Sequence, residues 1–168
     1  RIQDEMSPGD IVGRVGGDEF VVVSSNLTDR RLATRFAERV LTAVAAPVPY
    51  PQGYRQWTHV KSMTINPGHA LYDAFGGIHH LYANQKAEQG YKSGKFADGS
   101  VIVFDLLEAK AADNTVQEGA RKVLGVMRKD AKKYAATGGW GYEGFKGDSK
   151  TERAVAANAA TACHGCHA

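Results

Sequence analysis

The chain is short of cysteine: there are two in 168 residues, and both fall in the last six. That excludes a disulfide framework of the kind that staples small secreted folds. It also leaves no second cysteine pair for a four-ligand zinc site. No uninterrupted apolar run of about 18 residues is present, so no transmembrane helix is expected. One-signed charge is scarce too: the formal net charge is +3. The densest basic run, "MRKDAKKY" at 127–134, contains an aspartate and little aromatic interleaving, which argues against a nucleic-acid partner. The chain opens on Arg1 and carries no leader pattern, so it reads as an excerpt of something longer.

What is present concentrates at the far end. "ATACHGCHA" closes the chain at 160–168, with Cys163, Cys166 and then His167. A thioredoxin-like pair would follow a strand at a helix start within a βαβ pattern, which is absent here. A disulfide leaves the histidine unexplained. Zinc would have to recruit His59, His69, His79 or His80. Covalent haem c accounts for all three residues. Two thiols take the porphyrin vinyl groups, and the next histidine, His167, ligates the iron. His164 is then a spacer.

Along the chain, "DIVGRV", a Gly-Gly turn and "EFVVV" read as a hairpin. A helix follows, with Thr28 as its cap and Leu32, Phe36, Val40 and Val44 on one face. The proline-rich "APVPYPQGYR" marks a boundary. The expected division is 1–48, a linker at 49–53, and 54–168. Beyond the boundary, strands are expected in "QWTHVKSMTI", "GGIHHLYAN", "GSVIVFDLLEAK", "ARKVLGVMRK" and "GGWGYEGFKGD". The glycine–aromatic alternation of the last suggests a strand lying close to something flat. "KAEQGYKSGKF" reads as a short helix, and the alanine-rich "TERAVAANAATACHGCH" as a helix delivering the haem motif. The fold class is α+β, a mainly antiparallel sheet with short helices behind a hairpin-plus-helix segment. His79 and His80 must point to opposite faces, so at most one faces the haem. Met63 and Met127 are candidate sixth ligands. Tyr82, Trp140, Tyr142 and Phe145 could line the porphyrin, Phe75 and Phe104 could cap it, and Arg121, Arg128 or Arg153 could pair its propionates.

From about Tyr54 onward the chain resembles the cytochrome P-460 family. The carrying segments are "YRQWTHVKSM", "HALYDAFGGIHHLYANQKAEQGYKSGKFADGSVIVFDLLEAK", "RKVLGVMRKDAKKYAATGGWGYEGFKGD" and "ACHGCH". The resemblance implies a periplasmic, often dimeric, mainly β haem protein that oxidises hydroxylamine or binds nitric oxide, with an electron-transfer partner. Hydroxylamine-oxidising members link a lysine to the porphyrin. In "DGSVIVFDL" that position falls on Phe104, which has no amine; Lys92, Lys95 and Lys110 do not match it. Family members also continue past the haem motif. A six-coordinate electron-transfer cytochrome is the alternative.

Residues 1–48 resemble the second half of a GGDEF diguanylate cyclase domain through "PGDIVGRVGGDEFVVV" and "AERVLTAVAAPV". The signature is Gly16, Gly17, Asp18, Glu19 and Phe20. The resemblance implies GTP and Mg²⁺ as cofactors, yet upstream parts of that domain are missing, and Ser7-Pro8-Gly9-Asp10 lacks the arginine of the product site. The two halves also imply different compartments, since GTP is cytoplasmic and haem c is attached outside the inner membrane.

Overall fold

The computed structural model describes residues 6–16, 19–24, 29–34, 36, 47–155, 163 and 164. The chain divides into two compact units, Arg1–Ala46 and Pro47–Ala168.

The first unit carries the expected hairpin. β1 (Ile11–Gly16) pairs antiparallel with β2 (Glu19–Val23), from Ile11↔Val23 to Gly16↔Glu19. Asp10 steadies its open end, accepting from Ser24 Oγ at 2.6 Å and Ser7 N at 2.8 Å. Residues 30–34 and 36 are helical. Asp29 caps its start: its Oδ1 accepts from the amides of Arg31 at 2.6 Å and Leu32 at 2.9 Å. Thr28, Val40 and Val44 lie outside the described residues.

The second unit is a five-stranded antiparallel meander in the order β3-β4-β5-β6-β7. The strands are β3 (Thr58–Ile65), β4 (Gly77–Ala83), β5 (Val101–Ala112), β6 (Thr115–Lys129) and β7 (Trp140–Lys146). A one-turn helix, α1 (Tyr72–Phe75), precedes β4, and α2 (Gln85–Ser93) follows it. Asn84 caps α2, accepting from Ala87 N at 2.9 Å, and Gly94 closes it in the left-handed region at φ 72°. β5 and β6 turn through Asp113 and Asn114, at φ 50° and 58°, the residues a tight hairpin demands.

Alternation gives the sheet two faces. On the first, Val101, Val103, Leu124, Val126 and Phe145 form the core with Val48, Tyr54 and Tyr134. The segment expected as a linker at 49–53 therefore belongs to this unit. Val48 is 2% exposed, Pro51 is buried, and Tyr50 stacks edge-on against Phe145. Prolines hold the segment extended, and apolar neighbours dock it.

Within this core lies Asp105, fully buried. Its carboxylate accepts from Arg121 Nε at 2.6 Å, Tyr54 Oη at 2.7 Å and Arg55 Nη2 at 3.0 Å. Burial alone pushes the Asp105 carboxyl up, but the bonds from Arg121, Tyr54 and Arg55 outweigh it and hold the group below the usual carboxylate range. Tyr54 is pushed up, by burial first and then by Asp105.

Gly77, which opens β4, is required twice over. Its φ is +132°, and a Cβ there would lie 2.1 Å from the Leu107 carbonyl oxygen. Gly77→Ala is expected to cost about 1–3 kcal/mol from backbone strain alone, before the clash is counted. Urea denaturation measures it, and an unchanged midpoint would contradict the reading.

Candidate functional site

The second face of the sheet receives Cys163 and His164 of the C-terminal cysteine–histidine run. Register places His79 and Leu81 of β4, Ile102, Phe104 and Leu106 of β5, Gly125 and Met127 of β6, and Tyr142 and Gly144 of β7 on it. Ile102, Phe104 and Met127 are only half-buried, unlike Val103 and Leu124 behind them. The result is a partly open, mostly apolar surface.

After β7, residues 151–155 are not helical; of the rest of the helix expected over 151–167, all but Cys163 and His164 lies outside the described residues. Residues 152–154 run back along β7, with Lys146 N donating to Glu152 O at 3.0 Å and Ala154 N to Gly144 O at 2.7 Å. Helix propensity, even alanine's, is a weak preference, and pairing with β7 overrides it at 152–154. Arg153 fixes this return by donating to Glu143 Oε2 at 2.6 Å and Val48 O at 3.0 Å.

Gly144 lets the chain cross onto the second face. A Cβ on it would sit 3.1 Å from Val155 Cγ2 and 3.3 Å from Ala154 Cβ. Its partner across the ladder is another glycine, Gly125, and Phe104 borders that one at 3.3 Å. The paired glycines let Phe104 and Val155 pack close against the sheet. The alternation in "GGWGYEGFKGD" has a further cause on the core face: the Tyr134 ring lies against Gly141, 2.4 Å from where a Cβ would stand.

The motif itself is seen at Cys163 and His164, in a wide helical turn, both half-buried. The His164 ring packs on Tyr142, 6.0 Å between centroids. Burial, and then the nearby Cys163, push the Tyr142 hydroxyl up. His164 Nδ1 is buried with no hydrogen-bond partner among the described residues. Cys166 and His167 lie outside the described residues. The surroundings fit a haem. Cys163, a thiol of the kind that covalent attachment needs, stands with His164 beside an apolar, half-open face.

At the far end of this face stand two phenylalanines. Phe104 contacts His79 edge-on at 4.8 Å and Phe75 at 6.1 Å. His79, 4% exposed, bonds through Nε2 to the Phe75 carbonyl at 2.5 Å. Lys122 Nζ donates to the next carbonyl, Gly76 O, at 2.8 Å. The two side chains clamp the end of α1 and so hold Phe75 beside Phe104. Sequence reading missed this clamp; the only signal was that one of two adjacent histidines had to face this way.

Other expected residues divide by face. His79 is the histidine on the motif's side, and His80 points to the other. Met127 is on the motif's side, as is Met63, which pairs with His79 and is half exposed. Tyr142 is beside the motif, but Tyr82 and Phe145 belong to the core face, because they pair with Val103 and Leu124. Trp140 packs on Phe96 at 5.4 Å. Arg121 and Arg153 are committed to Asp105 and Glu143 on the core face, so neither is placed for a propionate. In the first unit, Gly16 ends β1 while Glu19 and Phe20 begin β2; Gly17 and Asp18 lie outside the described residues.

Residues 51–168 match the family model described as Cytochrome P460. Residues 1–95 match the one described as Diguanylate cyclase, GGDEF domain. The stretch common to both builds β3, α1, β4 and α2 of the second unit. No curated protein matches the chain.

Proposed function

We propose that this chain, which belongs to the cytochrome P460 family through residues 51–168 and to the diguanylate cyclase GGDEF family through residues 1–95, works as a covalent c-type haem protein for small nitrogen species. Family membership implies haem binding and nitrogen chemistry. The finer assignments are ours. Cys163 and Cys166 hold the haem, His167 ligates its iron, and the second face of the sheet carries the ring. When bound, the haem supplies an iron centre able to take a diatomic ligand or exchange an electron.

The carrying observation is the arrival of Cys163 and His164 on the half-open face of Ile102, Phe104, Met127 and Tyr142. The protein's own part follows from those side chains. Phe75 and Phe104 exclude water from one end of the face. His79, its Nε2 proton engaged by Phe75 O, holds the aromatic pair rather than donating to a ligand. An aromatic end of this kind, with no free proton donor among its described side chains, favours a neutral diatomic, nitric oxide, over proton-coupled oxidation of hydroxylamine. Phe104 stands where a linking amine would be needed, and it has none. Because thiols are joined to haem outside the inner membrane, we place this unit in the periplasm, with an electron-transfer partner and a homodimer as further expectations. No described helix is long and apolar enough to cross a membrane.

An optical titration of the reduced protein with nitric oxide tests this. A high-spin ferrous spectrum that converts on adding nitric oxide is expected, with no hydroxylamine turnover. A low-spin spectrum before ligand would instead mean a protein ligand in the sixth position, Met63, Met127 or a histidine, and make the protein an electron carrier. The GGDEF match supports a second reading, cyclic di-GMP synthesis from GTP with Mg²⁺, tested by incubating the full chain with both.

A further inference from the structure

A histidine pair on the opposite face of the sheet has the geometry of a metal site. Strict alternation would point His59 and Ser62 of β3 to opposite faces. The pairing shifts between His59 and Lys61, so Val60 is an extra residue and His59 swings to Ser62's side. His59 Nε2 then lies 2.8 Å from Ser62 Oγ. His80 stands directly opposite Ser62, and its Nδ1 lies 2.6 Å from the same oxygen. Two imidazole nitrogens from neighbouring strands thus converge on one hydroxyl. The ring of Tyr82 contacts both, at 5.5 Å and 6.3 Å.

The far side of His80 settles its tautomer. Nε2 is 2.8 Å from Glu118 Oε1, and a carboxylate only accepts, so Nε2 carries the proton. The Nδ1 lone pair is therefore directed at Ser62. A histidine whose outer N–H is held by a carboxylate is the usual form of an oriented metal ligand. Glu118 is itself positioned by Arg55 Nη2 at 3.4 Å. His59, Ser62 and Glu118 are solvent-accessible, so an ion can reach the pair and keep water in its remaining positions.

We propose that His59 Nε2 and His80 Nδ1 bind a late first-row divalent metal ion, with Glu118 as the outer carboxylate and Ser62 between the ligands. Imidazole suits these ions, and copper(II) should bind more tightly than zinc. The site lies on the face away from Phe104 and Tyr142 and stands independently of the haem reading.

The test is a copper(II) titration of the full haem-loaded chain, followed by calorimetry and electron paramagnetic resonance. One saturable site with nitrogen hyperfine structure is expected. His59→Ala, on an exposed edge strand where folding is not at risk, should weaken it by more than an order of magnitude, as should His80→Ala. Glu118→Gln should weaken it about 10- to 100-fold, whereas Ser62→Ala should retain it. Absence of saturable binding, or unchanged affinity in His59→Ala, would overturn the proposal.

Discussion

Asp105→Ala should cost the second unit about 3–5 kcal/mol, the penalty for breaking a buried ion pair from one side. Asp105 is fully buried and Arg121 nearly so, at 12% side-chain exposure, so removing the carboxylate leaves the Arg121 Nε in the core without its acceptor and only the exposed Asp148 ion-paired with the guanidinium. Tyr54 Oη, which donates to Asp105 at 2.7 Å, loses its acceptor as well. The measurement is urea denaturation followed at the sheet's tryptophans, where a lower midpoint with unchanged slope reports lost stability. Arg121→Ala should be milder, because Tyr54 and Arg55 remain on the carboxylate. The same group gives a pH dependence. Its folded-state value lies below the ordinary 3.8, so its contribution is present above that pH and is lost as pH falls through the lowered value. Wild type should therefore lose stability on acidification below about pH 4 more steeply than Asp105→Ala. Parallel acid profiles would contradict this.

Cys163→Ser combined with Cys166→Ser should abolish covalent haem retention while leaving the sheet folded. Serine keeps the shape and removes the nucleophile, since a thiolate adds to a vinyl group and a hydroxyl does not. The five strands are held by their own ladder and by the core of the other face, so circular dichroism should keep its β signature. Cys163→Ala alone should leave a single attachment through Cys166. If the double variant kept haem after denaturation, attachment would lie elsewhere on the chain.

Much of the fold is legible in the sequence where one face is buried and one is not. The segment "VIVFDLL" alternates, and alternation alone puts Val103 with Asp105 and Phe104 on the reverse. What that alternation cannot show is why an aspartate sits in the apolar row. Its partners, Tyr54, Arg55 and Arg121, are distant in sequence and meet it only when the meander closes. The prolines near Val48 look like a linker because proline ends helices; that the segment docks depends on Tyr134 and Phe145 being there to receive it. The alanine-rich stretch after Thr151 reads as helix by propensity, yet residues 152–154 find a free edge on β7, and a free edge outranks propensity. The bulge at Val60, which turns His59 toward His80, has no sequence signature at all. At the candidate site, the spacing of Cys163, Cys166 and His167 is legible in the sequence, and the glycine pair and the His79–Lys122 clamp emerged only with the register.

Denaturing mass spectrometry of a tryptic digest, made from protein matured with haem c machinery, tests the central claim most directly. The peptide following Arg153 holds Cys163, Cys166 and His167. Recovery of that peptide with one haem bound to both cysteines, and of every lysine peptide unmodified, is the expected result. Haem released by denaturation, or haem joined to a lysine, would contradict it.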